Sequence, residues 1–169
     1  MMFAKTLLAS VFALTAAALP HQARDNAGGG SVNFVNNLDT DVYLWTTSAN
    51  PGEMHTLPKG GGTYYEGWQI NPNGGGISIK LSTTQSQSSV LQFEYTVNKD
   101  KLYWDMSSID MNSDSPFVKA GFSAIPSDSS CTTAVCKPGD ANCAQSYQHP
   151  NDVNTLSCSV NSQYTVTLG

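Results

Sequence analysis

The chain has 169 residues, and its thirteen aspartate and glutamate residues outnumber its eight lysine and arginine residues, for a formal net charge of −5 at pH 7. This balance argues against a nucleic-acid or anionic-lipid partner, because both select for basic patches. The low charge and the abundant serine, threonine, asparagine and glutamine favour a surface that hydrogen-bonds neutral polymers. The length is sufficient for one domain with a hydrophobic core.

The amino terminus has the pattern of an export signal. A short basic start precedes an apolar stretch at residues 6–14 and then small residues, which predicts a signal peptide at residues 1–18. The apolar stretch is too short to span a membrane as a helix, and no later segment approaches the necessary length. Residues 19–30, which end in three glycines, predict a disordered leader, and residues 31–169 predict one domain. We therefore expect a secreted protein without a transmembrane segment.

Strand patterns recur through the predicted domain, with turn residues between them and almost no helix signal. Apolar and polar residues alternate most clearly at 77–81 and 91–97, as in strands that bury one face. Pro51 and Gly52 predict a break in the chain. Eight or nine antiparallel strands indicate an all-β fold, either an antiparallel β-sandwich or a flattened barrel. The strands predicted in chain order lie at 32–35, 41–47, 63–68, 77–81, 91–97, 102–106, 118–125 and 164–168.

The last predicted strand ends one residue before the end of the chain and alternates apolar with polar residues. Sheet edges need cover, because their free N–H and C=O groups otherwise pair with other chains. We therefore expect this strand to pair with the strand near residues 32–36.

Four cysteines lie close together near the carboxyl terminus. In a secreted chain an even number predicts two disulfides rather than a metal site. Three pairings are possible, and we favour the one in which a Cys131–Cys158 bridge encloses a Cys136–Cys143 bridge. These bridges would hold together an irregular segment that has little apolar periodicity of its own.

No metal or cofactor site is predicted. The three histidines are scattered through the sequence, and no pair of them has the spacing of zinc ligands. The triple glycines at 60–62 and 74–76 are read as turns rather than phosphate-binding loops, because neither opens a helix.

Carboxylates are expected to gather around one predicted hairpin. If the turn at 98–101 is a two- or four-residue connection, Glu94 lies opposite Asp105 on the polar face, with Cβ atoms roughly 5 Å apart. A three-residue loop would shift the register by one residue and separate the two acids. Carboxylates that close repel each other, so the pair needs water, a cation or a raised pKa.

Two further residues belong to this candidate site. Tyr103 shares a strand face with Asp105, and Asp110 follows in the loop beyond that strand. Retaining glycosidases hold two carboxylates roughly 5 Å apart and inverting ones roughly 6.5–9.5 Å apart. Glu94 with Asp105 would resemble the first arrangement, and either acid with Asp110 the second. The alternative is that these acids are simply solvated on a polar sheet face. Residue types alone do not establish a catalytic geometry, so from the sequence we favour saccharide binding over hydrolysis.

The sequence resembles a known family at these residues. The stretch Tyr-Trp-Asp-Met-Ser-Ser-Ile-Asp at 103–110 looks like the Y-D-V-S-L-V-D-G-F-N-x-P signature of thaumatin-like proteins, and residues 34–37 and 42–45 resemble their opening strands. The segments at 42–45, 75–80 and 143–147 are most similar to the small fungal branch of antigenic thaumatin-like proteins, which includes the yeast-phase-specific group. The resemblance extends over about residues 31–169.

The resemblance implies an antiparallel β-sandwich with an acidic cleft. In plant members that cleft is implicated in β-1,3-glucan binding, antifungal action and sometimes weak glucanase activity. Asp105 and Asp110 match two of its acids, and Glu94 matches a third, with Gln92 as the alternative in another register. This chain has far fewer cysteines than the plant members, and Met111 replaces the glycine of the signature. These departures favour binding over catalysis.

We therefore predict a monomeric, secreted, cell-wall-associated protein that binds polysaccharide, β-1,3-glucan in the first instance, through an acidic groove. A weak endo-β-1,3-glucanase with Glu94, Asp105 and Asp110 as candidate catalytic residues is the second possibility. The third is an antifungal or effector-like surface antigen without catalytic activity.

Overall fold

The computed structural model describes residues 26–169, with side chains from Gly28 onwards. The predicted signal peptide and residues 19–25 lie outside the described residues. Within the described part of the chain, no helix is long and apolar enough to cross a membrane. The elements in chain order are β1 (Asn26–Asn36), β2 (Val42–Thr47), β3 (Pro51–Leu57), β4 (Gly62–Gln69), β5 (Ile77–Ser82), β6 (Leu91–Asn98), β7 (Lys101–Ser107), α1 (Pro116–Ala120), β8 (Phe122–Pro126), β9 (Ala134–Cys136), β10 (Leu156–Ser159) and β11 (Gln163–Leu168).

The strands form two packed sheets, which confirms the predicted β-sandwich. One sheet has five strands in the order β4-β1-β11-β8-β9, and the other has six in the order β10-β7-β6-β5-β2-β3. All neighbouring strands run antiparallel except β1 and β11, which are parallel. Most of the segments predicted as strands are strands in the structure. The prediction succeeds because a strand that buries one face shows alternating apolar and polar residues in its sequence.

The core between the sheets is built around Phe93 of β6. Its ring stacks on Trp104 of β7 at a centroid distance of 5.6 Å and on Trp68 of β4 at 6.2 Å. Phe34, Tyr95 and Tyr164 also lie within 6.2 Å of it. Because successive residues of a strand point to opposite faces, burying Phe93 and Trp104 leaves their neighbours Glu94 and Asp105 on the outer face.

The predicted pairing of the last strand with the first is confirmed. Val32 lies opposite Tyr164, and Phe34 lies opposite Val166. The pairing is parallel, however, and β11 also pairs with β8. The strand therefore lies inside the five-stranded sheet instead of covering its edge.

Strand β1 begins at Asn26, inside the segment 19–30 for which the sequence predicts a leader. Its glycines permit close approach of the chain. A Cβ atom at Gly30 would collide with the carbonyl oxygens of Val160 and Ser162 and with the indole nitrogen of Trp68. The backbone N–H of Gly29 donates a hydrogen bond of 3.1 Å to Asn161 Oδ1. The absence of a Cβ atom at Gly30 therefore permits this close approach.

Two local predictions were wrong. The strand predicted at 118–125 begins at Phe122, because the preceding residues form α1, which Ser115 caps by accepting a 3.3 Å hydrogen bond from the N–H of Phe117. Pro51 does not break the chain; it begins β3. That strand lies at the edge of the six-stranded sheet, and Pro51 is its first residue, a position where proline is tolerated.

The two disulfides join Cys131 to Cys158 and Cys136 to Cys143, as favoured from the sequence. The segment that they hold is less irregular than predicted, because it contains β9 and β10, which pair with β8 and β7. These short strands bring the total to eleven.

Candidate functional site

A two-residue turn sets the register of the β6–β7 hairpin. Asn98 pairs with Lys101, and the turn residue Lys99 adopts a left-handed backbone with φ of 56°. The register therefore places Glu94 directly opposite Asp105. This is the arrangement that the sequence predicted for an even-numbered connection. The alternative residue Gln92 lies opposite Ser107 instead.

A groove runs over the outer face of the six-stranded sheet and contains this pair of acids. Its volume is about 550 Å³. We call it the carboxylate groove, and it is defined by Glu94, Asp105, Tyr103 and the polar side chains of Thr47, Ser78, Lys80, Gln92, Thr96 and Thr155. The lining is rich in hydroxyl and amide groups, which both donate and accept hydrogen bonds.

Cross-strand pairing organises the groove into rows. One row crosses four strands, because Thr47 pairs with Ser78, Ser78 with Glu94, and Glu94 with Asp105. The row beside it contains Lys80 and Gln92, which are also paired. The two acids therefore lie at one end of a polar row, and the lysine lies in the neighbouring row.

Glu94 is half-buried, and its surroundings both raise and lower the pKa of its carboxyl. Burial raises the pKa of its carboxyl, while the Ser78 hydroxyl and the charge of Lys80 lower it and the charge of Asp110 raises it. Ser78 Oγ also donates a 3.1 Å hydrogen bond to Gln92 Oε1. Because a hydroxyl has one proton to donate, Ser78 serves only one of these two acceptors at a time.

Asp105 is the more strongly perturbed member of the pair. Burial and the neighbouring charge of Glu94 raise the pKa of its carboxyl to about 7. Within residues 28–169, no side chain donates a hydrogen bond to it. At mildly acidic pH, Asp105 therefore carries a proton and acts as a hydrogen-bond donor as well as an acceptor.

Of the other two predicted site residues, Tyr103 lines the groove and Asp110 does not. Tyr103 is 43% exposed and lines the carboxylate groove beside Thr96, its cross-strand partner, so its ring is available for stacking. Asp110 lies in the exposed loop after β7, where its carbonyl oxygen accepts a 3.0 Å hydrogen bond from the N–H of Val90. The structure thus gathers Glu94, Asp105 and Tyr103, whereas Asp110 does not line the groove and acts on Glu94 only through its charge.

Sequence reasoning did not single out the buried carboxylate of Glu66. This side chain is only 7% exposed and lies between the sheets, where it accepts hydrogen bonds from Thr46 Oγ1 at 2.6 Å, from the Tyr64 hydroxyl at 2.9 Å and from the Tyr95 hydroxyl at 3.3 Å. The sequence of β4 could have predicted this burial, because residues two apart in a strand share a face and Glu66 therefore lies on the same face as the buried Trp68. Tyr95 is the neighbour of Glu94 in β6, so this buried network is joined to the strand that carries one of the two groove acids.

The raised pKa of Asp105 predicts how stability depends on pH. A carboxyl whose pKa is higher in the folded than in the unfolded protein stabilises the fold at low pH, and that stabilisation is lost as the pH rises from about 4 to the folded value near 7. We expect Asp105→Asn to raise the free energy of unfolding by about 1–2 kcal/mol at pH 8, after allowance for solvent screening, and to change it little at pH 4.

Denaturant unfolding at both pH values measures this effect, and Asp110→Asn is the matched control because its side chain is exposed. A destabilised Asp105→Asn variant at pH 8 would contradict the prediction.

Comparisons with known proteins agree with the fold and identify the family. Residues 18–169 match the family described as Blastomyces yeast-phase-specific protein. The chain is 50% identical to a secreted thaumatin-like protein of Emericella nidulans over 169 residues, which is 100% of this chain and 98% of the relative. It is 41% identical to an antigenic thaumatin-like protein of Arthroderma benhamiae over 144 residues, which is 85% of this chain and 72% of the relative.

Solved structures show the same architecture. A protein elicitor from Magnaporthe oryzae superposes with a TM-score of 0.68 at 25% identity, covering 82% of this chain and 98% of the elicitor. A thaumatin-like xylanase inhibitor superposes with a TM-score of 0.53 at 11% identity, covering 80% and 97%, and this likeness shows the fold alone. The chain therefore belongs to the Blastomyces yeast-phase-specific protein family, a small fungal branch of the thaumatin-like proteins.

Proposed function

We propose that this protein binds cell-wall polysaccharide in the carboxylate groove, with β-1,3-glucan as the first candidate. The observation that carries the proposal is the groove itself, in which two paired carboxyls and an exposed tyrosine ring line one open face of the sheet.

The chemistry of the lining suits sugars. Sugar hydroxyls donate to carboxylates and accept from hydroxyl and amide groups, and the groove offers all of these along neighbouring rows. The exposed ring of Tyr103 gives a sugar ring an apolar surface to stack on. Catalysis is not needed for any of these contacts.

The location of the protein fits this role. A relative that is 50% identical is named as a secreted protein, which supports the export predicted from the amino-terminal sequence. Association with the cell wall is part of the proposal, because a secreted protein with a glycan-binding groove meets polysaccharide there first.

A pull-down on insoluble β-1,3-glucan tests the proposal. We expect the double variant Glu94→Gln/Asp105→Asn to lose at least about tenfold in affinity, because hydrogen bonds to charged groups contribute roughly 1.5–3 kcal/mol. Tyr103→Ala is expected to weaken binding as well. Asp110→Asn keeps the groove lining intact and is the control. Equal recovery of the wild type and the double variant would rule out this groove as the site.

A weak endo-β-1,3-glucanase is the second candidate, and one observation favours it. A carboxyl with a pKa near 7 holds the proton that a general acid donates to a leaving oxygen. Release of reducing sugar from laminarin at about pH 5 measures this activity. Release by the wild type that Asp105→Asn abolishes would establish an enzyme, and no release by the wild type would leave binding alone.

A further inference from the structure

The charges in the carboxylate groove are unbalanced at one end. Glu94 faces the charge of Lys80 from the neighbouring row, whereas Asp105 lies on the far side of β6 from Lys80. Only burial and the charge of Glu94 perturb Asp105, and both disfavour its ionised form. When both carboxyls are ionised, the groove lining has a net charge of −1, and Asp110 adds a further negative charge nearby.

A neutral glucan does not relieve this imbalance. Its hydroxyls form hydrogen bonds with the carboxylates, but the repulsion between Glu94 and Asp105 remains. An ammonium group placed between the two carboxylates removes that repulsion and forms charge-assisted hydrogen bonds, which are roughly twice as strong as neutral ones. The half-buried setting strengthens the attraction, because the solvent screens it less than at an open surface.

The position of Tyr103 adds a second recognition element for the same group. Tyr103 and Asp105 lie on the same face of β7, two residues apart, and both line the groove. A cation over the face of a tyrosine ring is attracted by the negative charge that the ring's π electrons place there. An amino sugar whose ring stacks on Tyr103 would therefore bring its ammonium group close to the carboxylate of Asp105.

We propose that the carboxylate groove selects glycans with free amino groups, such as the glucosamine units of deacetylated chitin, over neutral glycans of the same length. This inference rests on the proposed function and names the class of sugar that the groove prefers. The carboxylates of Asp105 and Glu94 both bind the ammonium group, and the ring of Tyr103 stacks on the sugar ring. Lys80 limits the preference to the end of the groove near β7.

Matched oligosaccharides test the selection. We compare binding of hexamers of glucosamine, N-acetylglucosamine and β-1,3-linked glucose by calorimetry at about pH 6, where the amino groups are largely charged. Asp105 carries a proton at this pH in the free protein and releases it to the solvent when the ammonium group binds. The first two ligands differ only in acetylation, which removes the charge. We expect the glucosamine hexamer to bind at least about tenfold more tightly than its acetylated counterpart, and this ratio to fall as salt is added.

Variants assign the preference to the proposed residues. Asp105→Asn is expected to abolish the tenfold ratio, whereas Asp110→Asn is expected to retain it, because that side chain does not line the groove. Retention of the ratio by Asp105→Asn would overturn the inference, since the preference would then reflect only the net charge of the protein.

The outcomes separate this inference from the proposed function. Equal binding of the acetylated and deacetylated hexamers, together with binding of the glucose hexamer, would overturn amine selection and leave glycan binding intact. Failure to bind any of the three oligosaccharides would overturn both proposals. Selective binding of the glucosamine hexamer that depends on Asp105 would support the inference.

Discussion

The Phe93→Ala variant is expected to unfold with a free energy about 3–5 kcal/mol below that of the wild type. Phe93 is fully buried, and five aromatic rings surround it within 6.2 Å. Removing its ring leaves a cavity between the two sheets that the rigid neighbouring side chains cannot fill. Chemical denaturation followed by tryptophan fluorescence measures the loss, because Trp68 and Trp104 stack directly on the deleted ring.

Tyr103→Ala is the matched control for this prediction. Tyr103 lies on β7, in the same sheet, but on the outer face and 43% exposed. Its removal is expected to change the free energy of unfolding by less than about 1 kcal/mol, since surface substitutions usually have small effects. If Phe93→Ala does not accumulate, Phe93→Leu provides a smaller loss in the same direction. Similar losses for Phe93→Ala and Tyr103→Ala would contradict the assignment of the core.

The second large effect is expected at Glu66. Glu66→Ala removes an acceptor that serves three hydroxyl groups, those of Thr46, Tyr64 and Tyr95. Each buried polar group that is left without its partner lowers the stability of the protein by about 1–3 kcal/mol. We therefore expect Glu66→Ala to lower the free energy of unfolding by roughly 2–5 kcal/mol. Thermal and denaturant unfolding at neutral pH measure this loss.

Glu66→Gln distinguishes the hydrogen bonds from the charge. Glutamine keeps the shape and one carbonyl oxygen, and the hydroxyl groups can rotate to accept from its amide. We therefore expect Glu66→Gln to lower the free energy of unfolding clearly less than Glu66→Ala does. A Glu66→Ala variant as stable as the wild type would show that the network does not hold the two sheets together.

These two variants also bear on the proposed site. Tyr95 lines the carboxylate groove, and its hydroxyl donates to Glu66. Tyr95 and Glu94 are neighbours in β6, so the hydrogen bond to Glu66 links the strand that carries Glu94 to β4 of the other sheet. We infer that the geometry of the carboxylate pair depends on this buried acid as well as on the hairpin turn.

Much of the site followed from local sequence. Alternation of apolar and polar residues separated Phe93 and Trp104 from Glu94 and Asp105, because a strand can bury only every second side chain. The turn at 98–101 then set the register, since the two strands that it joins are neighbours in sequence. The four cysteines also pair as favoured.

What the sequence by itself determined was therefore which residues form most strands, which face each side chain takes and which acids meet across one hairpin. Only the tertiary structure decided that β11 lies inside a sheet, that Glu66 is buried among hydroxyl groups, that Gly30 packs closely against the carbonyl oxygens of Val160 and Ser162, and that Asp110 lies outside the groove lining. The physical reason is the range of the interactions. Alternation and turns act between near neighbours, whereas strand order and burial depend on which distant segments exclude water together.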